Sequence, residues 1–114
     1  MTFDEYQAKA VTTDVFGGKA QPITSLAFLE KLLGLVGEAG EVADKFKKIY
    51  RDDNGVLLEE KREMMEKELG DVLWYVSVLA SYLNVSLDAI AIKNLEKLQD
   101  RKARKVLKGS GDNR

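Results

Sequence analysis

Two uninterrupted runs of helical periodicity, from about 25 to Tyr50 and from about Glu59 to Leu83, occupy nearly half of this 114-residue chain. Each predicts a helix about 38 Å long at a rise of 1.5 Å per residue. That length is large for so short a chain, and both helices carry wide apolar surfaces. On the second of them Leu69, Val72, Leu73, Val76, Leu79, Ala80 and Leu83 spread over more than one face. One copy of the chain has too little material to cover so much apolar surface. The expected architecture is therefore all-α, a four-helix-type bundle completed by a second copy.

The rest of the sequence is punctuation around these two helices. A first helix is expected from Phe3 to about Val15, broken by the stretch Phe16-Gly17-Gly18-Lys19-Ala20-Gln21-Pro22, which holds the single proline. Thr24 or Ser25 supplies the N-cap of the second helix. Arg51-Asp52-Asp53-Asn54-Gly55 reads as a turn before the third helix. Asn84 ends that helix, and Ser86 caps a fourth, with Asp88 in its first turn. The fourth is expected to fade near Leu107, leaving 108–114 as a flexible Gly/Ser tail. The length fits one domain spanning 1–114.

Composition removes whole classes of chemistry. The chain has no histidine and no cysteine, so thiolate and imidazole metal sites, disulfides and cysteine nucleophiles are all excluded. Any metal must be held by oxygen, which points to Mg²⁺, Mn²⁺ or Ca²⁺. Any general acid or base must be a carboxylate, lysine, tyrosine or metal-bound water. No apolar run approaches the ~20 residues of a membrane span, and Met1-Thr2-Phe3-Asp4-Glu5 does not read as a signal peptide. The expected setting is the cytoplasm, away from membranes.

Against this background two acidic pairs stand out. Glu38 and Glu41 are spaced i,i+3 on the second helix; Glu68 and Asp71 are spaced i,i+3 on the third. Residues three apart share a helix face, so each pair can present two carboxylates to one point. Both pairs lie among apolar residues and glycines, where like charges repel and desolvation is costly unless a cation neutralises them. Taken singly, either pair can be an ordinary solvated surface feature; Glu59, Glu60, Glu63 and Glu66 surely are. Gly34, Gly37, Gly40 and Gly70 cost helix stability, about 0.5–1 kcal/mol each, which suggests close approach by backbone or ligand, or tight helix packing. Two rival metal sites fail. A ferritin-like di-iron bundle needs Glu-x-x-His, and an EF-hand around Asp52-Asp53-Asn54-Gly55 would have Tyr50 and Lys61 where carboxylates are required.

Glu38-Ala39-Gly40-Glu41 followed by Glu68-Leu69-Gly70-Asp71 resembles the ExxE…ExxD signature of the MazG-like all-α nucleotide pyrophosphohydrolases, a superfamily that includes dimeric dUTPases and dCTP pyrophosphatases. The resemblance extends over residues 34–45, 70–75 and 94–98, over the closing basic segment, and over Tyr6-Gln7 with Thr12-Thr13. It implies Mg²⁺ (Mn²⁺ as a substitute) held by Glu38, Glu41, Glu68 and Asp71. It also implies hydrolysis of a nucleoside triphosphate between its α- and β-phosphates, with Glu38 or Glu41 as the acid that takes the water's proton. Tyr75, one turn beyond Asp71, is then a nucleotide contact. Asn94, Lys97 and Arg101, a stripe on the fourth helix, together with Lys45 and Lys48, are candidates for phosphate. Trp74 points roughly 100° away from Tyr75 and is read as core packing. Ser110, Asp112 and Arg114 of the tail are expected to close over the site. The assembly expected is a homodimer or homotetramer.

Charge distribution leaves one more possibility open. Residues 1–92 carry 10 basic and 16 acidic side chains (−6), and residues 93–114 carry 8 basic and 3 acidic (+5). A basic end can bind phosphate, or be a solvated helix end with a favourable dipole. Nucleic-acid binding is disfavoured by the acidic body and the lack of a recognised module. The alternative class is a non-catalytic helical interaction module, or a degenerate nucleotide-binding member of the same fold.

Overall fold

A computed structural model describes residues 1–105 of the chain. Among them there is no strand, and four helices follow one another: α1 (Phe3–Ala10), α2 (Leu26–Asp52), α3 (Glu59–Tyr82) and α4 (Leu87–Ala103). Local chemistry sets most of their ends. Ser25 and Ser86 cap α2 and α4 as expected, their hydroxyls accepting from the Phe28 and Ala89 amides. Asn84 takes the left-handed conformation at φ 57° just past α3, which reverses the chain toward Ser86. The expected fading of α4 near Leu107, and the tail with Ser110, Asp112 and Arg114, lie outside the described residues.

The first helix is shorter than its sequence suggests. It ends at Ala10, and a single 3-10 turn over Val11–Thr13 follows instead of continuation to Val15. Thr12 and Thr13 turn their hydroxyls back to the Lys9 and Ala10 carbonyls, competing with the helical ladder. Asp14 is then drawn inward. Its carboxylate accepts from the Tyr82 hydroxyl at 2.8 Å and the Gly18 amide at 3.1 Å, and pairs with the Lys31 ammonium at 3.3 Å. Lys31 also sits 5.8 Å from the centroids of the Phe16 and Tyr82 rings. A buried charge is tolerated when it is paired and hydrogen-bonded in this way.

The long helices α2 and α3 form an antiparallel hairpin, the most extensive packing in the fold. Its seam can be followed from end to end: Asp53 with Lys61, Lys45 with Glu68, Gly34 against Tyr75, and Ala27 with Val78 and Tyr82. Val11, Phe28 and Trp74 pack onto this last cluster. The short α1 lies on α3 and also fixes α4. The Gln7 amide reaches the Ser77 carbonyl, the Ser81 hydroxyl and the Val85 carbonyl, while its oxygen accepts from the Leu87 amide at 2.9 Å. Asp4 accepts from the Ser86 hydroxyl and the Asp88 amide. Between them these two side chains hold the corner where α4 leaves α3 at 104°.

The apolar surface remains incompletely covered. Leu26, Leu29, Leu33 and Val36 are all exposed, and with Gly40 they follow the alternating three-four spacing of a helix-pairing seam. It is α2, more than α3, that carries this uncovered stripe. On α4, Ile92 and Leu95 are more than half exposed. The radius of gyration, 16.8 Å, exceeds the roughly 13 Å of a compact domain of this length. No single helix among the described residues is long and apolar enough to cross a membrane; α3 and α4 qualify only when joined across their bend.

Candidate functional site

Antiparallel pairing of α2 with α3 sets residue 38 opposite residue 71, near the middle of both helices. There Glu38, Glu68 and Asp71 each offer a carboxylate oxygen, and the three oxygens lie within 4.8 Å of one another. The i,i+3 spacing brings Glu68 and Asp71 to one side of the seam, and the packing across it supplies Glu38. Burial pushes the Glu38 carboxyl above its ordinary value, and the charges of Asp71, Glu68 and Glu41 add to that. The three carboxylates therefore repel one another, and a cation among them would relieve that repulsion. An all-oxygen donor set of this kind suits a hard divalent cation.

Glu41 is placed differently from the other three. Its side chain is 56 % exposed and pairs with Lys45 at 3.1 Å, outside the converging triad. Lys45 also crosses the seam to Glu68 at 2.7 Å, and the hydrogen bonds it donates to Glu68 and then Glu41 hold its amine above the ordinary lysine value. Lys48 turns to Asp44 at 2.8 Å. A small apolar hollow opens one turn along the hairpin, lined by Ile49, Met64 and Met65 beneath Lys45, Lys48 and Lys61.

The cleft at the acids is walled by Glu38, Asp71, Trp74 and Tyr75. Tyr75 lies against Gly34, where a Cβ would stand 2.2 Å from its ring, so that glycine is needed for the ring to seat. Among the described residues nothing lies within 4 Å of the Cβ positions at Gly37, Gly40 and Gly70, so those glycines serve no close approach there. Trp74 packs on the core as expected, and its indole N–H donates to Thr13 Oγ1 at 2.8 Å and the Ala10 carbonyl at 3.2 Å. It also faces the cleft and meets Tyr75 edge-on at 4.9 Å. Sequence spacing, which separates the two rings by one residue, concealed this second role. Tyr6 on α1 lines a separate hollow with Leu73; burial raises its phenol, and the Asp71 carboxylate raises it further.

The fourth helix contributes less directly. Asn94 is exposed and Lys97 half-buried, on a helix that packs against α1. Arg101 is only 3 % exposed, held within the fold rather than standing on an open surface. None of the three lines the cleft beside Glu38 and Asp71.

Comparison with known proteins agrees with the architecture. Residues 27–106 match the family model described as the MazG nucleotide pyrophosphohydrolase domain. The Gene 37 protein of Mycobacterium phage L5 is 48 % identical over 116 residues, an alignment that spans 100 % of both chains. No solved structure gives a significant match.

Proposed function

The chain belongs to the MazG nucleotide pyrophosphohydrolase family, and on that premise we propose that it hydrolyses a ribo- or deoxynucleoside triphosphate to the monophosphate and pyrophosphate, using Mg²⁺, with Mn²⁺ as a substitute. The observation that carries the reading is the convergence of Glu38, Glu68 and Asp71 on one point of the α2–α3 seam. Those three acids would hold a divalent ion, with Glu41 joining them from one turn further along α2. A bound Mg²⁺ supplies charge neutralisation for the triphosphate oxygens and lowers the pKa of the attacking water. Glu38 or Glu41 takes that water's proton. The water oxygen bonds to the α-phosphorus, the bond to the bridging α–β oxygen breaks, and pyrophosphate leaves. Tyr75 and Trp74, on the wall beside Asp71, orient the nucleoside by ring contact. Lys45 and Lys48 lie one and two turns further along α2 and meet the outer phosphates.

Assembly belongs to the same proposal. A second copy covering the stripe Leu26, Leu29, Leu33 and Val36 would build a homodimer or homotetramer, with the open glycines Gly37 and Gly40 allowing its backbone to come close. Asn94, Lys97 and Arg101, which do not line the cleft within one chain, then serve phosphate through the assembled particle. The enzyme works in the cytoplasm, with a nucleoside triphosphate rather than a membrane or a nucleic acid as its partner.

Single-turnover hydrolysis in ¹⁸O-water tests the chemistry, because the label follows the phosphorus that is attacked. Label in the nucleoside monophosphate with unlabelled pyrophosphate is the expected result. Label in orthophosphate with a diphosphate product would make the protein a phosphatase, and label in pyrophosphate would mean β-attack. Absence of Mg²⁺-dependent hydrolysis over a full panel of nucleotides would leave the non-catalytic helical module instead.

A further inference from the structure

Lys45 is the one feature at the acids that a plain four-carboxylate metal site does not require. Its ammonium lies 2.7 Å from Glu68 on α3 and 3.1 Å from Glu41 on α2. Pairing with Glu41 alone would be an ordinary i,i+4 contact on a helix surface. Pairing with Glu68 is different, because Glu68 belongs at the same time to the triad with Glu38 and Asp71. The four acids therefore divide into two positions that share Glu68. One, between Glu38, Glu68 and Asp71, has no lysine or arginine of the described residues paired with Glu38 or Asp71. The other, between Glu41 and Glu68, already holds a positive charge.

We propose that Lys45 is a tethered counter-ion that occupies the second divalent-cation position, between Glu41 and Glu68, and must be displaced before a second ion can bind. The inference rests on the metal-dependent reading above. A lysine suits the task physically. Its ammonium is a compact point charge on a flexible four-carbon stem, and at 24 % exposure it is free to swing toward solvent. In place, it offsets repulsion between acids of opposite helices and keeps the hairpin closed. Once displaced, it stays tethered within a side chain's reach, where an incoming phosphate offers it new acceptors. A resting site of this design takes one ion readily and a second only against competition. The bare enzyme then holds a single ion until the nucleotide brings another.

The test counts ions rather than turnover. Full-length wild-type, Lys45→Met and Lys45→Arg proteins are titrated with Mn²⁺ in the absence of nucleotide, with free Mn²⁺ followed by electron paramagnetic resonance. Far-UV circular dichroism checks the helices, and Lys45→Gln replaces Lys45→Met if the latter folds poorly. The first ion should bind all forms alike. The second should bind Lys45→Met at least about tenfold more tightly than wild type, the scale of two partly exposed ion pairs, while Lys45→Arg stays near wild type. First-ion binding as in wild type, with second-ion affinity unchanged within about threefold or weakened in Lys45→Met, would overturn the counter-ion role and leave the metal centre standing. Failure of every form to bind Mn²⁺ would remove the metal centre, and the counter-ion role with it.

Discussion

Replacing Asp14 by alanine should destabilise the protein more than any change at its acidic cleft. The Asp14 side chain is 0 % exposed and that of Lys31 only 7 %. Alanine at 14 leaves the Lys31 ammonium buried without its counter-charge, and strips an acceptor from both the Tyr82 hydroxyl and the Gly18 amide. Breaking a buried pair from one side costs about 3–5 kcal/mol. For a domain of this size that is a fall in Tm of about 12–20 °C, measured by circular dichroism at fixed protomer concentration. Adding Lys31→Met should recover at least about 2 kcal/mol, since it removes the orphaned charge and lays an apolar chain along Phe16 and Tyr82. The pH dependence has a definite sign. Burial pulls the Asp14 carboxyl upward, but the Gly18 amide, the Tyr82 hydroxyl and Lys31 together outweigh it and hold it below its ordinary 3.8. The part of its stabilisation that depends on ionisation is therefore present above pH 3.8 and is lost as the pH falls through the lower folded-state value. The gap in stability between wild type and Asp14→Ala should narrow in strong acid. A loss below about 1 kcal/mol at pH 7, or no recovery in the double variant, would refute the buried-pair argument.

Three further outcomes are expected. Asp71→Asn and Glu41→Ala should each lower Mg²⁺-dependent pyrophosphate release about a hundredfold or more with unchanged helical circular dichroism. Asp71→Asn should also leave the metal-free protein as stable as wild type or more so, because like-charge repulsion is relieved; normal turnover in both variants would refute the metal assignment. Gly34→Ala should displace the Tyr75 ring, whose nearest atoms stand 2.2–2.8 Å from the new Cβ, raising KM for the nucleotide several-fold, about 1 kcal/mol, and altering tyrosine fluorescence; an unchanged KM would show that Tyr75 does not touch substrate. Wild type should scatter light as a dimer or larger at micromolar concentration, and Leu33→Lys with Val36→Glu should reduce its mass toward that of one chain; a fully active wild-type monomer would refute the assembly.

Short-range chemistry was legible in the sequence. Ser25 and Ser86 cap helices because a hydroxyl bonds to an amide three residues away, and Asn84 turns the chain because its own backbone tolerates the left-handed region. The i,i+3 spacing of Glu68 and Asp71 fixes their common face whatever else the chain does. Tertiary structure decided what depends on partners far along the chain. Periodicity carried α1 on to Val15, but Asp14 finds Tyr82, 68 residues away, and the helix ends at Ala10. Four acids look equivalent in sequence, yet the seam gathers Glu38, Glu68 and Asp71 and leaves Glu41 to Lys45. Trp74 and Tyr75 diverge by helical geometry, yet a cleft open on that side of α3 admits both. A sequence lists the groups that each helix face presents; only the packing of α2 against α3 determines which of them meet, because burial and Coulomb attraction act across the seam rather than along the chain.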